Sequence, residues 1–211
     1  YGWCNWRTTA ENYCGQSRAV TGVKYFTSEI TTKDAAKRRR QELHIRAMKT
    51  IADVILGRFV PREHRCPRCG NVEHFSREKK TDTNIAIHMV LDAAANLYDE
   101  AFLVTADMDL LPAVEMISNP RYFKRPRKVT VLIPPYAHTS REFMSALNDR
   151  CTDGVRVLEL RLANIKRFPP ELAAELGYEF PKHWAIGSTG PTVGDDFDMT
   201  HDDQISRHHK R

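Results

Sequence analysis

The sequence lacks several features that would define whole classes of protein. It has no apolar run approaching the roughly 20 residues that a membrane-spanning helix needs, and no basic segment, apolar core and cleavage site of a secretion signal at its start. The five cysteines are odd in number and unevenly spread, which does not fit a disulfide framework. A glycine-rich phosphate loop is also absent. We therefore predict a cytoplasmic protein that makes no membrane contact.

The composition is that of a globular protein with a basic body. The chain of 211 residues is 41% hydrophobic and 28% charged, which suits one domain with one core. The aspartates of residues 185–211 lower the net charge to +5, so the remainder is more basic than that value suggests. Basic clusters could contact a polyanion, although each could also be a solvated helix face or loop. The candidate contacts are Arg38, Arg39, Arg40, Arg125, Arg127 and Lys128.

The first half of the chain predicts two strands, a helix and a long loop. Residues 1–16 look irregular, "AVTGVKYFTSEI" predicts a strand near residues 19–28, and an amphipathic helix follows from Lys33. "ADVILGRFV" predicts a second strand. Residues 61–80, which contain Pro, Cys, Gly and many basic residues, are expected to form a loop or small excursion.

The second half alternates between helical and strand patterns. "TDTNIAIHMVLDAAANLYDE" predicts a largely buried helix capped by Asp82 or Thr81, and "AFLVT" predicts a central strand. A helix from Leu111, the strand "KVTVLIPP", the helix "SREFMSALND" and the strand "VRVLEL" complete the pattern. This alternation predicts a Rossmann-like α/β fold with a mostly parallel central sheet flanked by helices. Residues 185–211 are polar and predict a disordered tail.

Two aspartates end the predicted strand "AFLVT". Asp107 and Asp109 are two residues apart, so both carboxylates can face one point at the carboxyl edge of the sheet, where ligands bind in this class of fold. Asp82 could join them from the preceding helix. Clustered carboxylates resist ionising together unless a cation neutralises them, and Mg²⁺ or Mn²⁺ prefers oxygen ligands. Taken one at a time, the three residues are more simply explained as helix caps and turn residues, whereas taken together they favour a metal-binding acidic cluster.

The predicted helix beginning near Asp82 carries a polar stripe. Asn84, His88 and Asp92 recur at intervals of four residues on an otherwise apolar surface. A polar group should therefore meet this stripe. His88 could alternatively be a core histidine whose hydrogen bonds are satisfied.

"HRCPRCGNVEH" is a second candidate metal site. A Cys-x-x-Cys pair followed by Gly can aim two thiolates at one Zn²⁺ ion. His64 and His74 could complete a tetrahedral set with Cys66 and Cys69. Since the second cysteine pair of a common zinc motif is absent, an unmetallated turn with free thiols remains an equal alternative.

Several motifs in the right order resemble the NYN domain family, a PIN-like family of nuclease domains. "EKKTDTNIAIHMVLDAAANLYDEAFLVTADMDLLPAVE" is similar to the family's Lys-x-x-Asp segment, helix and strand ending in Ser/Thr-Gly-Asp-Ser-Asp. "VKYFTSEI" resembles its second strand, and "RFPPELAAELGYEFPKHW" the closing segment of many bacterial members. The resemblance covers residues 17–184, and residues 1–184 are the expected domain extent.

The resemblance implies a metal-dependent ribonuclease with RNA as its partner; self-association is left open. Asp82, Asp107 and Asp109 match the acidic positions that would hold Mg²⁺ or Mn²⁺. The same resemblance gives supporting roles to four further residues. Asn84 and His88 would line the pocket, Thr105 would orient a ligand or water, and Lys80 (or Lys79) would contact phosphate.

The sequence departs from the family pattern at two places. Ala106 and Met108 replace the usual Gly and Ser between the acidic positions, although both carboxylates are kept. The family's opening strand, which ends in Asp-Gly-x-Asn, has no counterpart, so we expect a chain without its first strand. A catalytically weak RNA-binding or scaffold module is therefore an alternative function, and a metal-dependent phosphatase on a similar sheet is a third.

Overall fold

The computed structural model describes residues 4–30, 32–135, 137, 141–150 and 154–177. They belong to two compact units, residues 1–168 and residues 169–211. The described part of the second unit contains one short helix. The predicted tail at residues 185–211 lies outside the described residues, and the predicted domain extent of 1–184 stays a prediction.

Helices and strands alternate through the first unit, which confirms the predicted α/β class. The strands are β1 (Lys24–Thr27), β2 (Asp53–Leu56), β3 (Arg58–Arg65), β4 (Val72–Lys79), β5 (Glu100–Val104), β6 (Lys128–Ile133) and β7 (Val155–Glu159). The α-helices are α1 (Trp6–Cys14), α2 (Ala35–Met48), α3 (Thr81–Ala94), α4 (Leu111–Ser118), α5 (Arg141–Arg150) and, in the second unit, α6 (Pro170–Glu175).

The strands in the described residues are grouped into three hydrogen-bonded sheets. β1 and β2 pair in parallel, and β5, β6 and β7 form a parallel sheet with β6 in the middle. Every residue of β6 except Lys128 is buried, as expected for a central strand covered on both faces. The main core packs β5 and β6 against α3, α4 and α5; its buried side chains include Leu103, Val114, Ile117, Val129, Val131 and Phe143.

The segment predicted to be a loop at residues 61–80 is a β-hairpin. β3 and β4 pair antiparallel from Arg58 opposite Lys79 to Arg65 opposite Val72. The predicted second strand therefore breaks at Gly57, because β2 and β3 belong to different sheets. Charged residues obscured the strand pattern, and Pro61 is tolerated because each strand of a two-stranded ribbon has an edge without a partner.

The first residues also differ from the prediction of irregular structure. The side chain of Asn5 accepts the backbone N–H of Thr8 over 3.0 Å and so caps α1. Gly15 follows the last helical residue with a positive φ of 66°, which is a frequent way for a helix to end. The Asn and Gly that suggested irregular chain are therefore the two boundaries of a helix.

Helix α3 is less buried and differently capped than predicted. Ala93 is its only fully buried residue among those described, whereas Ile87 and Leu91 are 49% and 59% exposed. The N-cap position belongs to Lys80, which makes no side-chain capping bond, so neither Thr81 nor Asp82 is the cap. No helix in the described ranges is both long and apolar enough to cross a bilayer.

Candidate metal centre

The loop after β5 is shaped by its own polar side chains. The hydroxyl of Thr105 accepts the backbone N–H of Asp107 over 3.0 Å, and Oδ1 of Asp107 accepts the N–H of Asp109 over 2.9 Å. Asp107 thereby caps a short 3-10 helix at Met108–Leu110, which leads directly into α4. The buried side chains of Leu110 and Leu111 anchor this turn in the core. The loop is therefore fixed from both sides while its aspartates stay exposed.

The start of α3 supplies the third carboxylate. Lys80 adopts a left-handed conformation with φ of 78°, which is unusual for a residue with a side chain and costs conformational energy. The Thr81 hydroxyl lies 3.4 Å from that of Ser28, which follows the carboxyl end of β1. Asp82 occupies the first turn of α3, where the helix dipole favours a negative charge.

The structure brings the three aspartates named from the sequence into one cluster. Carboxylate oxygens of Asp82, Asp107 and Asp109 all lie within 4.8 Å of one another, and all three residues are exposed. Oxygen donors in this arrangement fit a hard divalent cation, and the open side leaves room for the waters that Mg²⁺ usually retains. Of the side chains that the structure describes, no other group of three or more metal-ligating residues comes together in this way.

Three side chains that were predicted to support the pocket lie in the two segments that carry the acidic cluster. The Thr105 hydroxyl is used by the loop backbone, so its observed contact positions Asp107. Lys80 is exposed two residues before Asp82, and Asn84 is half-buried in the first turns of α3. Their contacts with a ligand stay predictions.

The polar stripe of α3 meets a lysine that sequence reasoning missed. The ammonium of Lys24, at the start of β1, forms an ion pair with the Asp92 carboxylate and lies 3.1 Å from Nδ1 of His88. The His88 ring also packs against Phe26, with centroids 5.6 Å apart. His88 therefore contacts β1 and is not a member of the acidic cluster. The signal in the sequence that could have revealed this partner is the single lysine at the start of an otherwise uncharged strand.

The basic residues predicted to bind RNA divide by exposure. Arg38, Arg39, Arg40 and Lys128 are exposed, and Arg125 is 70% exposed while bonded to Asp99. Arg127 is a correction: its side chain is 2% exposed. Its guanidinium donates to the carbonyl of Ala93 over 3.0 Å and to the side chain of Asn96. Arg127 therefore forms hydrogen bonds inside the protein and is not part of an exposed basic surface.

The predicted zinc ligands lie on the hairpin. Cys66 and Cys69 are in the turn between β3 and β4, and His64 is exposed on β3. The backbone of His74 pairs with Glu63, and its side chain lies outside the described residues. The full set of four is therefore not assembled by the side chains that can be described.

Comparison with known proteins gives a family but no individual relative. No curated protein and no solved structure matches the chain. The model of the NYN domain matches residues 17–154, about two thirds of the sequence. The matched range runs from before β1 to the residue preceding β7, and it contains all three aspartates of the acidic cluster. The chain therefore belongs to the NYN domain family, a family of PIN-like nuclease domains with an α/β fold.

Proposed function

We propose that this protein is a metal-dependent ribonuclease whose site is the cluster of Asp82, Asp107 and Asp109. The observation that carries the proposal is the meeting of carboxylates from two separate segments, the start of α3 and the loop after β5. Three exposed negative charges so close together repel one another, and a divalent cation would remove that repulsion. Membership of a nuclease family supports the same reaction class.

The chain's own residues would hold Mg²⁺ or Mn²⁺ and fix its position. Asp107 would serve twice, because its Oδ1 caps the turn and its carboxylate also belongs to the acidic cluster. Asp82 is held by the first turn of α3. A bound divalent ion supplies Lewis-acid chemistry: it lowers the pKa of a bound water and stabilises negative charge on the phosphoryl oxygens during phosphodiester hydrolysis.

Exposed basic side chains would bind the RNA backbone. Arg38, Arg39 and Arg40 lie together in the first turns of α2, and Lys80 lies two residues from Asp82. Arg125 and Lys128 form a second exposed group before and at the start of β6. Neutralisation of phosphates by such residues makes binding depend steeply on salt concentration.

Cleavage of RNA in Mn²⁺, Mg²⁺ or EDTA tests the proposal. We expect cleavage with either ion, none with EDTA, and loss of cleavage in Asp107→Asn and Asp109→Asn. Asp53→Asn is the matched control, since Asp53 is an exposed aspartate at the amino end of β2. Cleavage by both cluster variants at the rate of the unmodified chain would contradict the assignment of the cluster.

RNA binding without cleavage is the second candidate function. The observation favouring it is that the cluster contains three carboxylates, with no fourth ligating side chain in the described part of the chain. Such a site could bind a cation too weakly for catalysis. Retained RNA binding in EDTA, together with no cleavage at any Mn²⁺ concentration, would favour this function over the first.

The state of the cysteines supports a cytoplasmic location. The four cysteines that the structure describes, Cys4, Cys14, Cys66 and Cys69, form no disulfide. Free thiols persist in a reducing compartment, where disulfides are rare. We infer that the proposed activity meets its RNA in that compartment.

A further inference from the structure

The turn between β3 and β4 has the geometry of a metal-binding knuckle. The backbone N–H of Cys66 donates to the carbonyl of Asn71 over 2.8 Å, and the N–H of Gly70 donates to the carbonyl of Cys66 over 2.9 Å. Gly70 has a positive φ of 69°, a conformation that a side chain would strain. This tight turn brings Cys66 and Cys69 to one side of the hairpin tip.

The Cys66 sulfur is surrounded by hydrogen-bond donors. The backbone N–H groups of Cys69 and Arg68 donate hydrogen bonds to this sulfur, as does the Cys69 side chain. Donors aimed at a sulfur stabilise the thiolate, which is the form that binds a metal. By contrast, burial raises the pKa of Cys4 to about 11, which is typical of an inert core thiol.

The described side chains at the distal end of β3 are not packed in a core. β3 and β4 form a two-stranded sheet of their own, and residues 61–65 of β3 are all exposed. An isolated two-stranded hairpin is at best marginally stable in water. A cross-link at the tip would add stability in the same way that structural metals do in small folds.

We propose that Cys66 and Cys69 bind Zn²⁺ at the tip of this hairpin, with His64 as a third ligand. His64 lies two residues before Cys66, at the exposed end of β3. Its ring and the two sulfurs do not all lie within 4.8 Å of one another, so the ring would turn towards the ion on binding. On binding, each thiol loses its proton to solvent and forms a Zn–S bond, so two protons are released per ion. The remaining coordination position is left to water. The site is structural and does not depend on the proposed nuclease activity.

Metal analysis of the full chain, purified under reducing conditions without added metal, tests the site. We expect about one zinc per chain, and at least a 10-fold loss of zinc affinity in Cys69→Ser. Cys14→Ala is the matched control, because Cys14 is a free thiol in α1 and should leave the zinc content unchanged. Zinc content in Cys69→Ser equal to that of the unmodified chain would overturn the proposal.

Replacement of zinc by Co²⁺ identifies the ligands directly. Thiolate-to-cobalt charge-transfer absorption should appear in the unmodified chain, fall by about half in Cys69→Ser, and keep its intensity while the ligand-field bands shift in His64→Ala. Absence of charge-transfer absorption, or isolation of a Cys66–Cys69 disulfide instead of a metal site, would overturn it. An unchanged spectrum in His64→Ala would refute the third ligand. Proteolysis of the hairpin should become faster when a chelator removes the ion, because the ion would no longer cross-link the tip.

Discussion

The backbone N–H of Asp109 donates to Oδ1 of Asp107 over 2.9 Å. One carboxylate of the acidic cluster thus holds the position of the next. The sequence left open whether Asp107 is a helix cap or a metal ligand. The structure shows the cap, and the metal-ligand role stays a proposal. The capping bond uses Oδ1, and the same carboxylate has an oxygen within 4.8 Å of oxygens of Asp82 and Asp109.

Substitutions at Asp107 should separate its two roles. Asp107→Ala removes both the cap and the charge, so we expect a loss of about 1 kcal/mol in the free energy of unfolding. Asp107→Asn keeps a capping oxygen and should retain nearly all the stability. Both variants should lose metal-dependent cleavage. Urea denaturation measures the first effect, and equal destabilisation by Asn and Ala would contradict the capping role.

The charge cluster should make stability depend on divalent ions. Without metal, Asp109→Asn should leave the melting temperature unchanged or raise it, because it relieves repulsion among three carboxylates. At a Mn²⁺ concentration of 100 times Kd, the free energy of unfolding of the unmodified chain should rise by about 2.7 kcal/mol, and its melting temperature should rise accordingly. Both increases should be smaller in the variant. Thermal denaturation with Mn²⁺ or EDTA measures both. A Mn²⁺ response in Asp109→Asn as large as that of Asp53→Asn would contradict the site.

The ion pair between Lys24 and Asp92 should contribute to the stability of α3 on β1. The two side chains are 28% and 20% exposed, so the pair is partly shielded from solvent. We expect Lys24→Met to cost roughly 1–3 kcal/mol, because it leaves the Asp92 carboxylate without its ammonium partner. A double-mutant cycle with Asp92→Asn should give a coupling energy of at least about 0.5 kcal/mol. Additive effects would show that the pair contributes nothing measurable.

Arg125 and Arg127 should respond oppositely to substitution. Arg127→Ala removes a buried guanidinium from the Ala93 carbonyl and Asn96, so we expect a loss of roughly 2–4 kcal/mol in unfolding free energy. Arg125→Ala should change stability by less than about 0.5 kcal/mol, since this side chain is 70% exposed. It should instead reduce the salt dependence of RNA binding. Equal effects of both variants on RNA affinity at matched stability would contradict this division.

Glu100 should make the fold sensitive to acid. Partial burial raises the pKa of this carboxyl, but hydrogen bonds from Thr130, Arg156 and Arg18 outweigh it and lower the pKa below the ordinary 4.5. A lowered pKa in the folded state stabilises the fold above pH 4.5, and that contribution is lost as pH falls through the lowered value. Between about pH 6 and pH 3, the free energy of unfolding should therefore fall more in the unmodified chain than in Glu100→Gln. Identical pH dependence would contradict this role.

Three features of the fold were predicted wrongly from the sequence, and each error has its own physical cause. α1 was missed because Asn5 and Gly15, which cap and end it, are also typical of irregular chain. The hairpin was missed because residues 61–65 of β3 are all exposed, so no alternation of apolar and polar residues marked it. Arg127 carries the same charge as its exposed neighbours, and only the packing of α3 against the chain before β6 made it an interior residue.

The sequence by itself determined the succession of parallel strands and helices after residue 80 and the three aspartates of the cluster. Local patterns suffice there, because buried strands are continuously apolar and turn chemistry marks where they end. Only the tertiary structure decided which polar groups meet. Asp82 is 25 residues from Asp107, and Lys24 is 68 residues from Asp92. Such contacts depend on how helices pack across strands, and no local pattern contains that information.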